Sequence, residues 1–417
     1  MPCVTVRRGP LCGSVNAIPS KSYAHRILIC SAFADAPVLV KGMIYSKDME
    51  ATVSCLRALG VGVEDKGCGD FLITPVKHAK NAVLNCNESG STLRFMLAVA
   101  PALGGEFTFV GSGRLKDRPN APLLNALERG GIDIEGEGLP LTLKGKLSGG
   151  VYDIDGGVSS QYVTGLLLAA ALVGEDFTVR IDGELKSKGY VDITLDVLSS
   201  FGVEVAVDGN CYTVRGGQRL RSPGEITVEG DWSNAAFFLA AGLLGGSVAV
   251  YGLNENSLQG DMAVIDVMRA LGGCIKFEKG AFIAQKSDLF GTDFNVENII
   301  DAAPVLSVLC AFAEGESRIS GVERLKLKES DRLSAIIEMI TALGGKATTD
   351  GHVLNIVGKR LSSGTVDGKN DHRMVMSAAI AATVCGDVTV IGAEAVNKSY
   401  PDFFKDLKSL GGIVDAD

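Results

Sequence analysis

Cationic and hydroxyl side chains recur along this chain in short runs that read as the first turns of helices. In the first half these are Lys21-Ser22 with Arg26, Gly90-Ser91 with Arg94, Arg114, Lys116 and Arg118 before Pro119, Ser159-Ser160-Gln161, and Ser187 with Tyr190. The second half has Lys328-Glu329 with Arg332, then Asn370-Asp371-His372-Arg373, then Asn397-Lys398. At a helix start the free N–H groups and the dipole already favour negative charge, so Lys, Arg and Ser side chains added there make an anion-binding surface. Taken singly, each run equally suits a capped helix or a solvated charge. Together, on both halves of a chain with 49 acidic and 40 basic residues and a net charge of −9, they point to one cleft that gathers several anionic groups. Two acids, Asp301 and Glu329, stand near or among these cations. Carboxylates so placed could move protons, although Asp301 on local evidence suits a helix N-cap just as well.

Other chemistries lack their residues. There is no Gly-x-x-x-x-Gly-Lys-Ser/Thr loop, no Gly-x-Gly-x-x-Gly turn and no Gly-x-Ser-x-Gly elbow, which disfavours the corresponding nucleotide and hydrolase chemistry. The ten cysteines stand singly, without a Cys-x-x-Cys pair, and only four histidines accompany them, so no metal is expected and reduced thiols in a cytoplasmic protein are. The acidic balance argues against nucleic acid or an anionic membrane as the main partner. Residues 1–8 hold no apolar signal core. The longest uncharged run, 233–254, is broken by Gly242, Gly245, Gly246 and Gly252, so it reads as a buried helix running into a strand.

The elements that position these runs are announced by glycine. A chain of 417 residues with 46% hydrophobic content needs at least two cores. Its 52 glycines are about an eighth of the whole, against a usual ~7%. Six of them, Gly60, Gly130, Gly202, Gly272, Gly344 and Gly411, each close an amphipathic helix and open an alternating strand, at spacings of 70, 72, 70, 72 and 67 residues. A left-handed residue at that point favours glycine. The chain therefore reads as six copies of one unit. The stretches 24–33, 92–100, 163–171, 235–244, 304–313 and 374–383 are almost wholly apolar, which implies helices enclosed on all sides. Three copies precede residue 229 and three follow it. The expected domains are 13–229 and 1–12 with 230–417, the N-terminal strand around Val4 and Val6 crossing back to complete the second.

In order, and over nearly the whole chain, Lys21-Ser22-x-x-x-Arg26, Gly90-Ser-x-x-Arg94, Arg118-Pro119, Ser159-Ser160-Gln161, Ser187-Lys-Gly-Tyr190, Lys328-Glu329-Ser-Asp-Arg332 and Asn370-Asp-His-Arg373 resemble the EPSP synthase family of enolpyruvyl transferases. The resemblance implies an α/β fold of two similar domains, each of three βαβαββ repeats with sheets outside and helices buried, an inside-out α/β barrel with the active site in the cleft between domains. It implies transfer of the enolpyruvyl group of phosphoenolpyruvate to the 5-hydroxyl of shikimate 3-phosphate by addition and elimination. By position, Ser22, Arg26, Ser159, Ser160, Gln161, Ser187, Tyr190 and Lys328 would hold shikimate 3-phosphate. Lys21, Gly90, Arg118, Gln161, Arg332, Arg373 and Lys398 would surround phosphoenolpyruvate, with Lys21 touching both substrates and Gly90 keeping the backbone close to the ligand. Asp301, also against shikimate 3-phosphate, would accept the hydroxyl proton, and Glu329 with Lys21 would handle the proton at C3. No cofactor is required, because cations supply the charge stabilisation. The expected partners are the two small substrates, with a monomer suited to hinge closure.

Glu88 and Arg324 depart from the family pattern, each standing where an amide is common, and Glu88 would repel an anion unless a cation pairs with it. The rival of the same fold, UDP-N-acetylglucosamine enolpyruvyl transferase, typically has a cysteine in the loop that here reads Gly113-Arg-Leu-Lys-Asp-Arg118. A noncatalytic anion-binding scaffold leaves Asp301 and Glu329 unexplained.

Overall fold

Helices come in pairs along the chain, and the two members of each pair differ in kind. The computed structural model describes residues 3–79 and 81–416. Among these, the helices are α1 (Lys21–Ala32) and α2 (Lys47–Ala58), α3 (Gly90–Leu103) and α4 (Ala121–Arg129), α5 (Ser160–Val173) and α6 (Gly189–Ser200), α7 (Trp232–Gly245) and α8 (Val264–Ala270), α9 (Ala303–Phe312) and α10 (Arg332–Ala342), and α11 (His372–Cys385) and α12 (Phe403–Ser409). The odd-numbered helices are the six apolar runs. In α7 every residue from Trp232 to Leu244 is buried, and in α11 every residue from His372 to Thr383. The even-numbered ones bury one stripe, as in α4, where Leu123, Ala126 and Leu127 face inward at helical spacing.

Contacts divide the chain into two units, Pro19–Glu229 and the residues up to Ile18 together with those from Gly230 onward. Among the described residues each unit has three four-stranded sheets. In the first unit one sheet runs Gly150–Asp155, Phe177–Asp182, Cys211–Val214, Val205–Asp208, with the first pair parallel and the others antiparallel. Phe177, Val179 and Ile181 are buried and alternate with residues that face outward, so each sheet lays one apolar face on the helices. The last strand of the unit, Glu225–Thr227, pairs in parallel with Val38–Lys41 and completes the first sheet.

The other unit is completed by the N-terminal segment. Cys3–Arg7 lies between Val388–Ile391 and Ile413–Ala416, and Cys12–Asn16 pairs in parallel with Ser247–Tyr251. The division therefore falls after Ile18 and not after residue 12, because the register Cys12 to Asn16 carries that strand into the second unit. Asp231 N donates to the Ile18 carbonyl at 2.7 Å on one side of the crossing, and Ser20 N to the Glu229 carbonyl at 2.7 Å on the other. The run 233–254 is a helix followed by the strand Ser247–Tyr251, and among the described residues no helix is long and apolar enough to cross a membrane. All ten cysteines are free thiols.

Five of the six spaced glycines have positive φ. The exception is Gly130, at φ −78°, with Gly131 taking the left-handed conformation at φ 88°. A Cβ on Gly130 would lie 2.6 Å from the Tyr152 ring, so close approach rather than φ demands glycine there. Within α5, Gly165 faces α3, where a Cβ would sit 2.6 Å from the Arg94 carbonyl oxygen and 3.4 Å from Phe95 Cα. That spacing is set by backbone and cannot relax by a side-chain rotation. Gly165→Val should therefore lower stability by about 2 kcal/mol or more, read as an earlier urea midpoint; a wild-type midpoint would refute this account of the α3–α5 contact.

Candidate active site

A helix enclosed by apolar neighbours can present polar groups only at its ends. In the first unit the starts of α1, α3 and α5 do so. Lys21 is the first residue of α1, and its Nζ donates to Asp48 Oδ2 at 2.6 Å, both side chains being less than a fifth exposed. Asp48 is tied to α3 in turn, since Thr92 Oγ1 donates to its carbonyl at 3.4 Å. Behind it runs a buried chain of polar groups: His25 Nδ1 to Thr52 Oγ1 at 2.7 Å, Thr52 Oγ1 to Thr92 Oγ1 at 2.7 Å, and Thr92 Oγ1 to Ser89 Oγ, the cap of α3, at 2.8 Å. Burial, then Lys21 and Arg26, hold His25 well below its ordinary pKa, so it stays neutral in this chain.

Arg26 is 2% exposed. It donates to Thr194 Oγ1 at 2.8 Å, Thr164 Oγ1 at 3.1 Å, the Tyr190 carbonyl at 2.9 Å and the Ser22 carbonyl one turn back. The shared face of Ser22 and Arg26 is thus a contact with the helix's own backbone, and the guanidinium braces the Ser187–Tyr190 loop. Burial lowers its pKa to about 10, which leaves it charged at neutral pH. Ser187 is buried with φ 54°, uncommon for a residue with a Cβ, and its carbonyl accepts from Tyr190 N at 3.2 Å.

Ser159 caps α5 and Ser160 is its first residue, both nearly enclosed. Gln161 is oriented from both ends: its Oε1 accepts from Arg94 Nη1 at 2.6 Å and its Nε2 donates to Ser91 Oγ at 2.8 Å. Arg94 also donates to the Pro119 carbonyl at 3.1 Å. It therefore ties α3, α5 and the Arg118-Pro119 turn together, a role its place in the sequence motif did not reveal. Gly90 opens α3, and a Cβ there would lie 2.7 Å from Arg118 Cζ. The space beside Gly90 is occupied by the Arg118 guanidinium, so the missing Cβ lets that side chain approach the start of α3. Glu88 lies beneath the same turn, since a Cβ on Gly113 would meet its Cδ at 2.7 Å.

In the second unit the centre is Arg332, 1% exposed at the start of α10. Its Nε donates to Asp371 Oδ2 at 2.8 Å, Nη2 to Asp371 Oδ1 at 3.2 Å, Nη1 to Asp301 Oδ1 at 2.7 Å and Nη2 to Glu329 Oε2 at 2.8 Å. Although burial works against its charge, Asp371, Glu329 and Asp301 keep it firmly protonated. Asp371, fully buried, also caps α11 through Arg373 N at 2.9 Å and accepts from Ser330 Oγ at 2.9 Å. Asp301 lies on a short 3₁₀ turn, Ile300–Ala302, ahead of α9, and takes a second cation, Lys328 Nζ, at 3.1 Å. Burial pushes the Asp301 carboxyl up, but Lys328, Arg332 and Arg373 outweigh it and hold the group well below 3.8.

Arg373 is held by α7. Its Nη1 donates to the Ser233 carbonyl at 2.8 Å and its Nη2 to Ser233 Oγ at 2.6 Å, while its buried Nε has no hydrogen-bond partner among the described residues. Lys398 Nζ donates to the Asn370 carbonyl at 2.7 Å, across a left-handed pair, Lys369 and Asn370. The structure thus groups Lys21, Ser22, Arg26, Gly90, Arg118, Ser159, Ser160, Gln161, Ser187 and Tyr190 in one unit, and Asp301, Lys328, Glu329, Arg332, Arg373 and Lys398 in the other. No group of three His, Cys, Asp or Glu among the described residues is placed to hold a metal ion.

The architecture defines the class. A solved EPSP synthase from Acinetobacter baumannii superposes with TM-score 0.84 at 25% identity over 100% of both chains, and the enolpyruvyl transferase NikO from Streptomyces tendae shares the fold with TM-score 0.83 at 20% identity over 100% of this chain and 99% of that one. This is the two-domain, inside-out α/β fold of enolpyruvyl transferases. Sequence narrows it further. The family model described as EPSP synthase (3-phosphoshikimate 1-carboxyvinyltransferase) matches residues 6–407. A protein named 3-phosphoshikimate 1-carboxyvinyltransferase from Clostridium novyi is 39% identical over 97% of this chain and 96% of its own length, and one so named from Halobacterium salinarum is 39% identical over 99% of each. The chain belongs to the EPSP synthase family.

The carboxylates around Arg332 make stability depend on acid. Asp371 and Asp301 have folded pKa values below 3.8, so their contribution is complete above about pH 5 and is lost as pH falls through those values. Asp371→Asn keeps a capping side chain but breaks the buried pair. It should cost roughly 3 kcal/mol at pH 7 and flatten the acid loss, in urea unfolding at pH 7 and pH 4. Equal midpoints for variant and wild type at pH 7 would overturn the central place given to this pair.

Proposed function

We propose that this protein transfers the enolpyruvyl group of phosphoenolpyruvate to the 5-hydroxyl of shikimate 3-phosphate, releasing phosphate. The observation that carries the reading is the cluster of Asp301, Lys328, Glu329 and Arg332 in a chain of this family: two acids fixed against two cations, where a binding scaffold would need only the cations. The substrates carry two phosphates and two carboxylates between them, which suits the cationic helix starts of both units.

The hydroxyl oxygen forms a bond to C2 of phosphoenolpyruvate as C3 gains a proton; the C2–O bond to phosphate then breaks and the new methyl group gives a proton back. Asp301 takes the hydroxyl proton. In the free protein its low pKa makes it a weak base, so an anionic substrate that draws Lys328 away raises its basicity when it is needed. Glu329, with Lys21, serves C3. Ser22, Arg26, Ser159, Ser160, Gln161, Ser187, Tyr190 and Lys328 hold shikimate 3-phosphate, and the bonds that fix Arg26 and Gln161 beforehand spare the cost of ordering them. Lys21, Gly90, Arg118, Gln161, Arg332, Arg373 and Lys398 surround phosphoenolpyruvate. A cytoplasmic monomer acting on small molecules is the setting this reading supports.

Phosphate release by purified protein given both substrates tests it. Absence of release with that pair, and turnover with UDP-N-acetylglucosamine as acceptor instead, would sink the assignment. Lys21→Met and Glu329→Ala should each reduce turnover by roughly 100-fold or more while the protein stays folded, and near-normal rates would remove these residues from the mechanism. Gly90→Ala forces the Arg118 guanidinium aside, so KM for phosphoenolpyruvate should rise severalfold with a smaller change in kcat; an unchanged KM would show that Arg118 does not touch that substrate.

A further inference from the structure

Behind Arg118, in the first unit, a cavity of about 220 Å³ opens between α3, α4 and the turn before residue 140. We propose that it binds an apolar α-amino acid, one with an aromatic or branched side chain, as a zwitterion. Three features converge on that ligand.

The floor is leucine: Leu93, Leu97, Leu124, Leu139 and Leu141 line it. An apolar cavity of about 150 Å³ accommodates benzene. The volume here therefore takes a ring or branched aliphatic group with the few heavy atoms of an amino-acid backbone, and is too small for a drug-sized ligand.

Opposite charges line the opening. Lys116 and Glu137 are both exposed, and neither makes an ion pair or hydrogen bond among the described residues. A floor of leucines with one unpaired cation and one unpaired anion above it complements a molecule that has an apolar group, a carboxylate and an ammonium.

The carboxylate has a second anchor. Asn120 and Ala121, at the start of the nine-residue helix α4, line the same cavity. Asn120 stands at the N-cap but its side chain does not cap; its Oδ1 accepts from Arg94 Nε at 3.3 Å and its Nδ2 donates to the Arg118 carbonyl at 3.2 Å. Pro122 has no N–H, so the first-turn N–H groups of Ala121 and Leu123 are left without a side-chain acceptor at the positive end of the helix. A carboxylate seated there and beside Lys116 supplies the missing cap, while Glu137 receives the ammonium. Arg118 and Pro119 form one wall. An occupant therefore presses on the arginine whose guanidinium fills the space over Gly90, which makes the cavity a control point for the anion site of the same unit.

Calorimetric titration of the full-length protein tests this without any substrate of the transfer reaction, so its result stands apart from the proposed activity. L-Phenylalanine and L-leucine should bind. Phenethylamine, which lacks the carboxylate, and 3-phenylpropionate, which lacks the ammonium, should each bind weaker by roughly tenfold or more. Glu137→Gln and Lys116→Met should weaken the amino acids by a similar factor, and Leu124→Phe, which fills the floor, should abolish binding, with thermal unfolding confirming that each variant is folded. No binding of either amino acid up to about 10 mM, equal binding of the truncated analogues, or unchanged binding by the three variants would overturn the proposal.

Discussion

Six helices that are apolar around their whole circumference must be enclosed, and enclosure confines every polar group they carry to their ends. α7 and α11 are buried over almost their full length, and α3 and α5 pass so closely that Gly165 is needed between them. Chemistry is therefore pushed to the first turns, where unsatisfied N–H groups already attract anions. Ser20, Ser89, Ser159 and Asp371 take cap positions, Lys21, Gly90, Ser160 and His372 follow them directly, and Arg373 comes one residue later. The layout of the candidate site is thus a consequence of how the core is built.

The two units handle buried charge differently. The first relies largely on neutral partners: hydroxyls, backbone carbonyls and one amide hold Arg26, Arg94 and Gln161, and Lys21 pairs with Asp48. The second concentrates charge, three carboxylates on one guanidinium with Lys328 beside them. Neutral ties leave the cationic character of the first unit intact and suit a surface that receives anions. The dense network suits proton movement, since removing or adding one charged neighbour changes how tightly Asp301 or Glu329 holds a proton.

Close packing also redefines what particular glycines do. Gly90 and Gly130 avoid contact with a guanidinium and a tyrosine ring, whereas Gly131 and Gly344 serve backbone conformation. Local sequence cannot separate these two reasons, because the neighbour that forbids a Cβ comes from elsewhere in the chain.

Read alone, the residues determined the sixfold repeat, the six enclosed helices, the basic and hydroxyl first turns and the family resemblance, because hydrophobic period, capping chemistry and motif spacing are properties of short segments. Tertiary structure decided the rest. It moved the division to Ile18 through the pairing of Cys12–Asn16 with Ser247–Tyr251, turned Arg26 inward, gave Asp48, Arg94 and Asp371 their roles as partners, and passed the left-handed turn from Gly130 to Gly131. Each of these depends on which distant segment lies within hydrogen-bonding or van der Waals reach, and that distance exists only once the chain has folded.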